Sequence, residues 1–252
     1  MKITFLGTGT SHGIPVINCD CAVCSSKNLK NKRLRASVII ETEHKNILID
    51  TSPDFRQQFL RKKVERIDAV LFTHVHADHI FGLDDLRRFC WQQKERIPIY
   101  GNKDSVEHLQ NIFTYAFGEG ELRYGVPNLK AHIVENEFTI GEIKIIPVEL
   151  HHGIKLIYGY RINNFAYCTD VSKIPVHSYK LLENLEVLVL DSLREKPHPT
   201  HFSLKQGVQQ AEKIQSKKTF FTHMNHTLDH TKHGKLLPEN MHFAYDGLTI
   251  EF

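Results

Sequence analysis

Apolar residues in this chain fall in short runs, and many of the runs end on a residue able to do chemistry. Ile3 to Leu6, Val38 to Thr42, Asn46 to Ile49 and Ile67 to Phe72 lack glycine and proline and are rich in branched side chains, so each predicts a buried strand. The polar turn Glu43-His44-Lys45 joins the second and third as a hairpin that leads into Asp50-Thr51-Ser52-Pro53. Pro53 suits the first turn of a helix reaching Lys62. Farther on, an amphipathic stretch spans Gly82 to Gln93, Pro98 to Gly101 predicts a strand and Lys103 to Phe117 a helix. The glycines of Gly118-Glu119-Gly120 and Gly125-Val126-Pro127 then mark a loop, expected beside the substrate.

From Leu129 the pattern becomes a series of strands, Leu129 to Val134, Phe138 to Ile140, Glu142 to Leu150, Lys155 to Ile162 and Phe165 to Cys168, which predicts a second sheet. Strand Leu185 to Leu190, helix Ser203 to Gln215, strand Lys218 to Thr222 and a closing strand near Leu248 to Phe252 complete the chain. Two sheets, each covered on its outer side by helices, give an α/β four-layer αββα sandwich, expected as one domain over residues 1–252.

With 252 residues, 41% of them hydrophobic, the chain can fill a sizeable core. Lys and Arg total 32 against 29 Asp and Glu, so no global field calls for a polyanionic partner. The local cluster Lys27, Lys30, Lys32, Arg33 and Arg35 leaves nucleic acid open as a partner, although such runs are more often a solvated face. The apolar stretch of Met1 to Gly7 is too short for a secretory signal. No segment approaches the roughly 20 apolar residues of a membrane span. The expectation is a cytoplasmic protein with no membrane partner and reduced thiols; a homodimer is allowed.

The organising stretch is Thr73-His74-Val75-His76-Ala77-Asp78-His79, with three imidazoles and a carboxylate in seven residues directly after an apolar run. In extended chain His74 and His76 point to one side and can share an ion, while Asp78 and His79 can turn toward a second. Other candidate ligands follow strands: His151 or His152, then Asp170, then His223. His74, His76 and His152 can hold one ion and Asp78, His79 and His223 another, with Asp170 bridging. Asp50 also ends a strand, where it could orient a metal-bound histidine or cap a helix. Cys19, Cys21 and Cys24, three thiols in six residues, lack one ligand for a tetrahedral zinc site, and His226 is free to supply it. Cys90, Cys168 and Trp91 are expected in the core.

His74 to His79 resembles the His-x-His-x-Asp-His signature of the metallo-β-lactamase fold superfamily, with His152, Asp170 and His223 as downstream ligands; His152 is preferred over His151 for its distance from Gly159-Tyr160. The cysteine cluster with His226, the segment Asp50 to Arg56 and Pro199-Thr200-His201-Phe202-Ser203 resemble the branch containing the phosphoribosyl cyclic phosphate phosphodiesterase of carbon–phosphorus lyase pathways. That resemblance implies a phosphodiesterase in which two ions, Mn or Zn with Fe allowed, activate a bridging water, and in which Asp78 and His201 carry catalysis, His201 at the substrate phosphate or the leaving oxygen. One further Zn would be structural. Rival expectations are an RNA-end nuclease of the same superfamily, a thioester or lactam hydrolase, and a non-catalytic metal-binding protein.

Overall fold

The computed structural model describes residues 1–252. Strands β1 (Lys2–Gly7), β2 (Ser37–Glu41), β3 (Asn46–Ile49), β4 (Ala69–Leu71), β5 (Ile97–Gly101) and β6 (Leu129–Ile133) belong to one sheet, with the C-terminal β14 (Thr249–Glu251) on the outer side of β1. The second sheet holds β7 (Phe138–Ile140), β8 (Ile143–His152), β9 (Lys155–Ile162), β10 (Phe165–Cys168), β11 (Val187–Asp191), β12 (Lys218–Thr222) and β13 (Met241–Phe243). The helices are α1 (Phe55–Arg61), α2 (Ala77–Ile80), α3 (Arg87–Gln93), α4 (Lys103–Ile112), α5 (Leu204–Ile214) and α6 (His230–Gly234).

Strand alternation shows why two sheets make four layers. Val38, Ile40, Ile47, Ile49 and Leu71 point inward and pack against Ile145, Tyr160, Phe165, Tyr167 and Val189 of the second sheet. Their neighbours Ile39, Leu48 and Val70 point outward, against Phe55, Leu83, Leu86, Phe89 and Leu109 of the helical layer. Leu188, Leu190 and Phe221 do the same on the other side, beneath Ala211 and Ile214 of α5. A strand buried on both faces reads as the continuous apolar runs seen in the sequence. Helix α5 starts and stops on local chemistry: Ser203 and Gln206 form a capping box, and Gln215 ends the helix in a left-handed conformation.

Strand direction gathers the chemistry at one edge. β3 to β6 are parallel, as are β10 to β13, and β8 runs in the same direction as β10 because both are antiparallel to β9. Asp50, Thr73, His152, Asp170, Asp191 and His223 all lie at or just past carboxyl ends of these strands, the edge at which open α/β sheets bind ligands.

Several expectations are corrected. β6 pairs with β5 in parallel and so belongs to the first sheet, with the second beginning at β7. Because β6 is parallel to β5, the glycine-bearing loop before it lies at the opposite edge from the strand ends, where Arg87 and Arg96 hold the carbonyls of Gly125 and Gly120; it is not beside the site. The helix from Lys103 ends at Ile112 and continues only as a 3₁₀ turn, Thr114–Ala116. Trp91 is 55% exposed, under the Arg88 guanidinium, whereas Cys90 and Cys168 are buried as expected. β13, α6 and the 3₁₀ segment Val176–Leu182 had no clear signal, being short and interrupted by polar residues.

β9 clamps the chain that enters the histidine stretch: Tyr160 Oη donates to the Phe72 carbonyl at 2.7 Å and the Tyr158 N–H to the Thr73 carbonyl at 3.0 Å. Tyr160→Phe removes the first bond and should lower stability by about 1–3 kcal/mol, each kcal/mol worth about 2–4 °C in Tm. An unchanged melting curve would show that the clamp is not needed to hold the sheets together.

Candidate metal centre

Two groups of donors meet between the strand ends. His74, His76, His152 and Asp170 form one and Asp78, His79, Asp170 and His223 the other, the ligand atoms within each lying within 4.8 Å of one another. Asp170 is common to both, as the sequence pattern predicts. His74 and His76 leave the end of β4 in extended chain, and Asp78 and His79 are turned inward by the single turn of α2. His152 ends β8, while His151 pairs with Leu156 on the other face of the ribbon, its backbone bridged to Lys173; His152 is the one brought to the cluster.

Three of these anchors share a backbone feature. Asp50, Asp170 and His223 have φ of +61°, +59° and +59°, each within two residues of a strand end. Left-handed backbone is unfavourable for a side chain, more so for His than for Asp, and it turns each side chain sharply off its strand into the site.

Hydrogen bonds settle which ring nitrogens face inward. Asp50 Oδ2 accepts from His79 Nδ1 at 2.7 Å and from the Thr73 hydroxyl at 2.8 Å, and Oδ1 accepts from the Thr73 N–H at 2.9 Å. With its proton given to Asp50, Thr73 Oγ1 accepts from His74 Nδ1 at 3.0 Å. His152 Nδ1 donates to the Thr200 carbonyl at 2.7 Å. Each ring therefore turns a lone-pair Nε2 toward the centre, the second-shell arrangement of metal-binding imidazoles. Asp50 thus orients one histidine of each group, and is not a helix cap: α1 starts after Asp54.

The donors fit divalent ions. Nε2 of His74 and His79 is buried without a hydrogen-bond partner. His79 Nε2 lies 3.3 Å from carboxylate oxygens of Asp78 and Asp170, and His223 Nε2 lies 3.4 Å from both carboxylates. Lone pairs set against carboxylate oxygens repel unless a cation lies between, and ligand bonds of about 2.1 Å at tetrahedral angles give edges of about 3.4 Å. Burial lowers the His79 imidazole, but Asp170, Asp78 and Asp50 override it and carry it well above its ordinary value. His74, with fewer anions near it, is held well below by burial and by His79.

His201 stands beside the centre, stacked on His223 with centroids 4.9 Å apart and edge-on to His152 at 4.7 Å. Its Nδ1 is 3.2 Å from Asp191 Oδ2, which also accepts the N–H groups of Val171 and Phe202. Burial would lower His201, yet the Asp191 charge and hydrogen bond raise it to about 9. Asp191 also sets Oδ1 3.7 Å from His223 Nδ1, beyond hydrogen-bond reach. Sequence reasoning missed Asp191, although it terminates a strand just as Asp50 follows one. Thr73 and Thr200 were missed as well, since a hydroxyl or a carbonyl behind a ligand leaves no spacing signature.

The cysteine cluster forms as expected. His226 Nδ1 lies 3.2, 3.5 and 3.7 Å from the sulfurs of Cys19, Cys21 and Cys24. Zn–S and Zn–N bonds of about 2.3 and 2.05 Å at tetrahedral angles place S and N about 3.6 Å apart, so these four can hold one zinc ion. The Cys24 N–H lowers the Cys21 thiol to about 6, whereas burial raises Cys24 to about 11. Adjacent thiols oppose one another's ionisation, and a cation removes the conflict. The basic cluster beside it is largely engaged: Lys32 holds the Cys24 carbonyl, buried Arg33 the carbonyls of Asn225 and Leu228, Arg35 pairs with Asp54, and Lys30 lies over Tyr245.

Asp50→Asn removes the charge behind His79 and should weaken metal binding at the centre about 10–100-fold with the fold intact, read by metal titration and circular dichroism. Cys21→Ser should lower Tm by at least about 5 °C and reduce metal at the histidine centre too, because His223 and His226 share one segment. Elemental analysis showing normal metal content in Cys21→Ser would break that link.

A family model described as a β-lactamase superfamily domain matches residues 45–224. Among solved structures, a diphosphatase from the PhnP family superposes with a TM-score of 0.94 at 44% identity, over all of this chain and 96% of that one. The short form of human tRNase Z, at 19% identity and a TM-score of 0.74 over 100% of this chain and 99% of that one, shares the fold. A Porphyromonas gingivalis octanoyltransferase is 36% identical over 98% of this chain but only 51% of its own length, and a Nostoc punctiforme ribonuclease Z is 29% identical over 64% of this chain and 46% of its own. The chain spans about half the length of these curated relatives. Domain match, fold and donor geometry agree: the chain belongs to the β-lactamase superfamily of metallo-β-lactamase fold hydrolases, in the branch of the PhnP family.

Proposed function

We propose that this protein is a phosphodiesterase that opens a small, cyclic phosphodiester such as phosphoribosyl 1,2-cyclic phosphate. The observation that carries the reading is the pair of buried His/Asp clusters sharing Asp170, with the His201–Asp191 couple against them. When two divalent ions occupy the clusters they supply Lewis acidity, lowering the pKa of a water and neutralising charge that builds on the phosphoryl oxygens.

The chain's own residues do the rest. His74, His76, His152 and Asp170 would hold one ion, and Asp78, His79, His223 and Asp170 the other. The Asp78 oxygen not directed at His79 and His223 accepts a hydrogen bond from the attacking water and aligns it with phosphorus. His201, fixed through Nδ1 by Asp191, keeps Nε2 free to hold a proton and give it to the leaving ribose oxygen. The new P–O bond forms from water as the bond from phosphorus to ribose oxygen breaks, and a phosphomonoester results. The Asp191 carboxylate raises His201 to about 9, so the ring carries the proton that it would give to the leaving oxygen.

Imidazole and carboxylate donors suit Mn, Zn or Fe(II), with Mn favoured for turnover by the family resemblance and Zn at Cys19, Cys21, Cys24 and His226. The three-thiol site supports a reducing, cytoplasmic setting; no helix is long and apolar enough to cross a membrane. The ribonuclease Z relatives favour a second reading, an RNA-end nuclease using the same ligands. Acyl transfer is not carried over, because that name covers a protein twice the matched length.

Bis(p-nitrophenyl) phosphate and ribose 1,2-cyclic phosphates, with added Mn or Zn, should be hydrolysed by wild type. Asp170→Ala should lose metal and turnover together, and His201→Ala should keep metal while kcat falls about 10²–10⁴-fold. A metal-loaded wild type inert on both substrates but active on precursor tRNA ends would favour the nuclease.

A further inference from the structure

Of the residues at the centre, Asp170 has the most exacting task, since it is common to both donor groups. Its two oxygens already face different rings: Oδ1 lies 3.3 Å from His79 Nε2, whereas Oδ2 lies 3.4 Å from His223 Nε2 and 3.7 Å from His74 Nε2. Rotamer preference does not hold such a division, because the last torsion of an aspartate is broad and the carboxylate turns easily about it. A contact from outside the donor set must fix it. Thr169, wholly buried just past the end of β10, donates its hydroxyl to Asp170 Oδ1 at 2.7 Å. That bond occupies one lone pair of Oδ1 and leaves the other for an ion.

The rest of the centre shows that this contact is selective. The rings of His74, His79 and His152 are held from behind by Thr73, Asp50 and Thr200, but the carboxylate of Asp78 meets only His79 and His223. A second threonine stands in the same relation to a ligand. Thr222 ends β12 directly before His223, and like Thr169 it is wholly buried and precedes a residue of positive φ. The Thr222 hydroxyl has no partner, so a threonine at this place does not bond the following side chain as a by-product of the left-handed turn. We infer that Thr169 is the positioning residue that lets Asp170 be shared, its hydroxyl locking the rotation in which Oδ1 faces His79 and Oδ2 faces His74. Without that bond the carboxylate is free to turn and offer both oxygens to one ion, a mode open to aspartate. The inference rests on the two-ion reading of the clusters and holds whichever phosphodiester is the substrate.

Metal binding tests this without turnover. Mn is titrated into protein whose cysteine site is filled with Zn, and electron spin resonance separates an isolated Mn ion from two that are magnetically coupled through a shared carboxylate. Wild type should take up two Mn ions and show the coupled signal. Thr169→Val should bind the first within about threefold of wild type, weaken the second about 10–100-fold, and show the isolated signal at Mn concentrations that couple wild type. Thr169→Ser should restore the coupling, and Thr222→Val should keep it. If circular dichroism shows that the valine variant does not fold, Thr169→Ala set against Thr169→Ser, a pair that differs in the hydroxyl alone, gives the same reading. Equal loss in Thr169→Val and Thr222→Val, or a loss that serine does not recover, overturns the inference. Two coupled ions in both wild type and Thr169→Val remove the inference and leave the two-ion reading intact, whereas a wild type that takes up a single Mn removes that reading itself.

Discussion

The buried carboxylate of Asp50 is the constraint on which the site depends. It is wholly removed from solvent, it accepts hydrogen bonds from the Thr73 backbone, the Thr73 hydroxyl and His79, and through Thr73 it reaches His74. Burial pushes its carboxyl upward in pKa, and the His79 charge and these donors oppose that rise without cancelling it. Its backbone is pinned from both sides, its N–H on the Leu71 carbonyl and its own carbonyl under the Ser37 hydroxyl. Three strands of the first sheet therefore converge on one residue, and the orientation of a ligand from each donor group follows from it.

Much of this was legible because it is local. His74, His76, Asp78 and His79 lie within six residues, so spacing alone limits which side chains can converge, and the three cysteines are comparably close. Strand ends then point to His152, Asp170 and His223, since a run of apolar residues fixes where a chain emerges at a sheet edge. Asp191 stayed hidden because its partner His201 is ten residues away across a turn and belongs to no metal-ligand spacing. The placement of β6 was misjudged for a related reason: a short, only partly buried edge strand resembles those of the second sheet, and only its parallel pairing with β5 assigns it. Trp91 illustrates the opposite error, an aromatic side chain taken as core that instead lies against Arg88 and Tyr124 at the surface.

The two donor centres are mechanically one. Thr222 to His226 carries His223 into the histidine cluster and His226 into the cysteine cluster, and the intervening Met224 exchanges backbone hydrogen bonds with Thr8 and Thr10 of the loop that follows β1. Arg33, buried beneath this segment, satisfies the carbonyls of Asn225 and Leu228. The left-handed backbone at His223 is unfavourable on its own and persists because these contacts over-determine it.

The sharing of ligands between distant parts of the chain also sets when the centres can exist. Asp78 and His223 are separated by 145 residues and Cys19 and His226 by 207. During synthesis, the His74 to His79 stretch emerges long before its partners and can act only as a loose, exchangeable chelator. Both donor sets include a residue from the segment after β12, so neither is complete until that strand is in place in the second sheet.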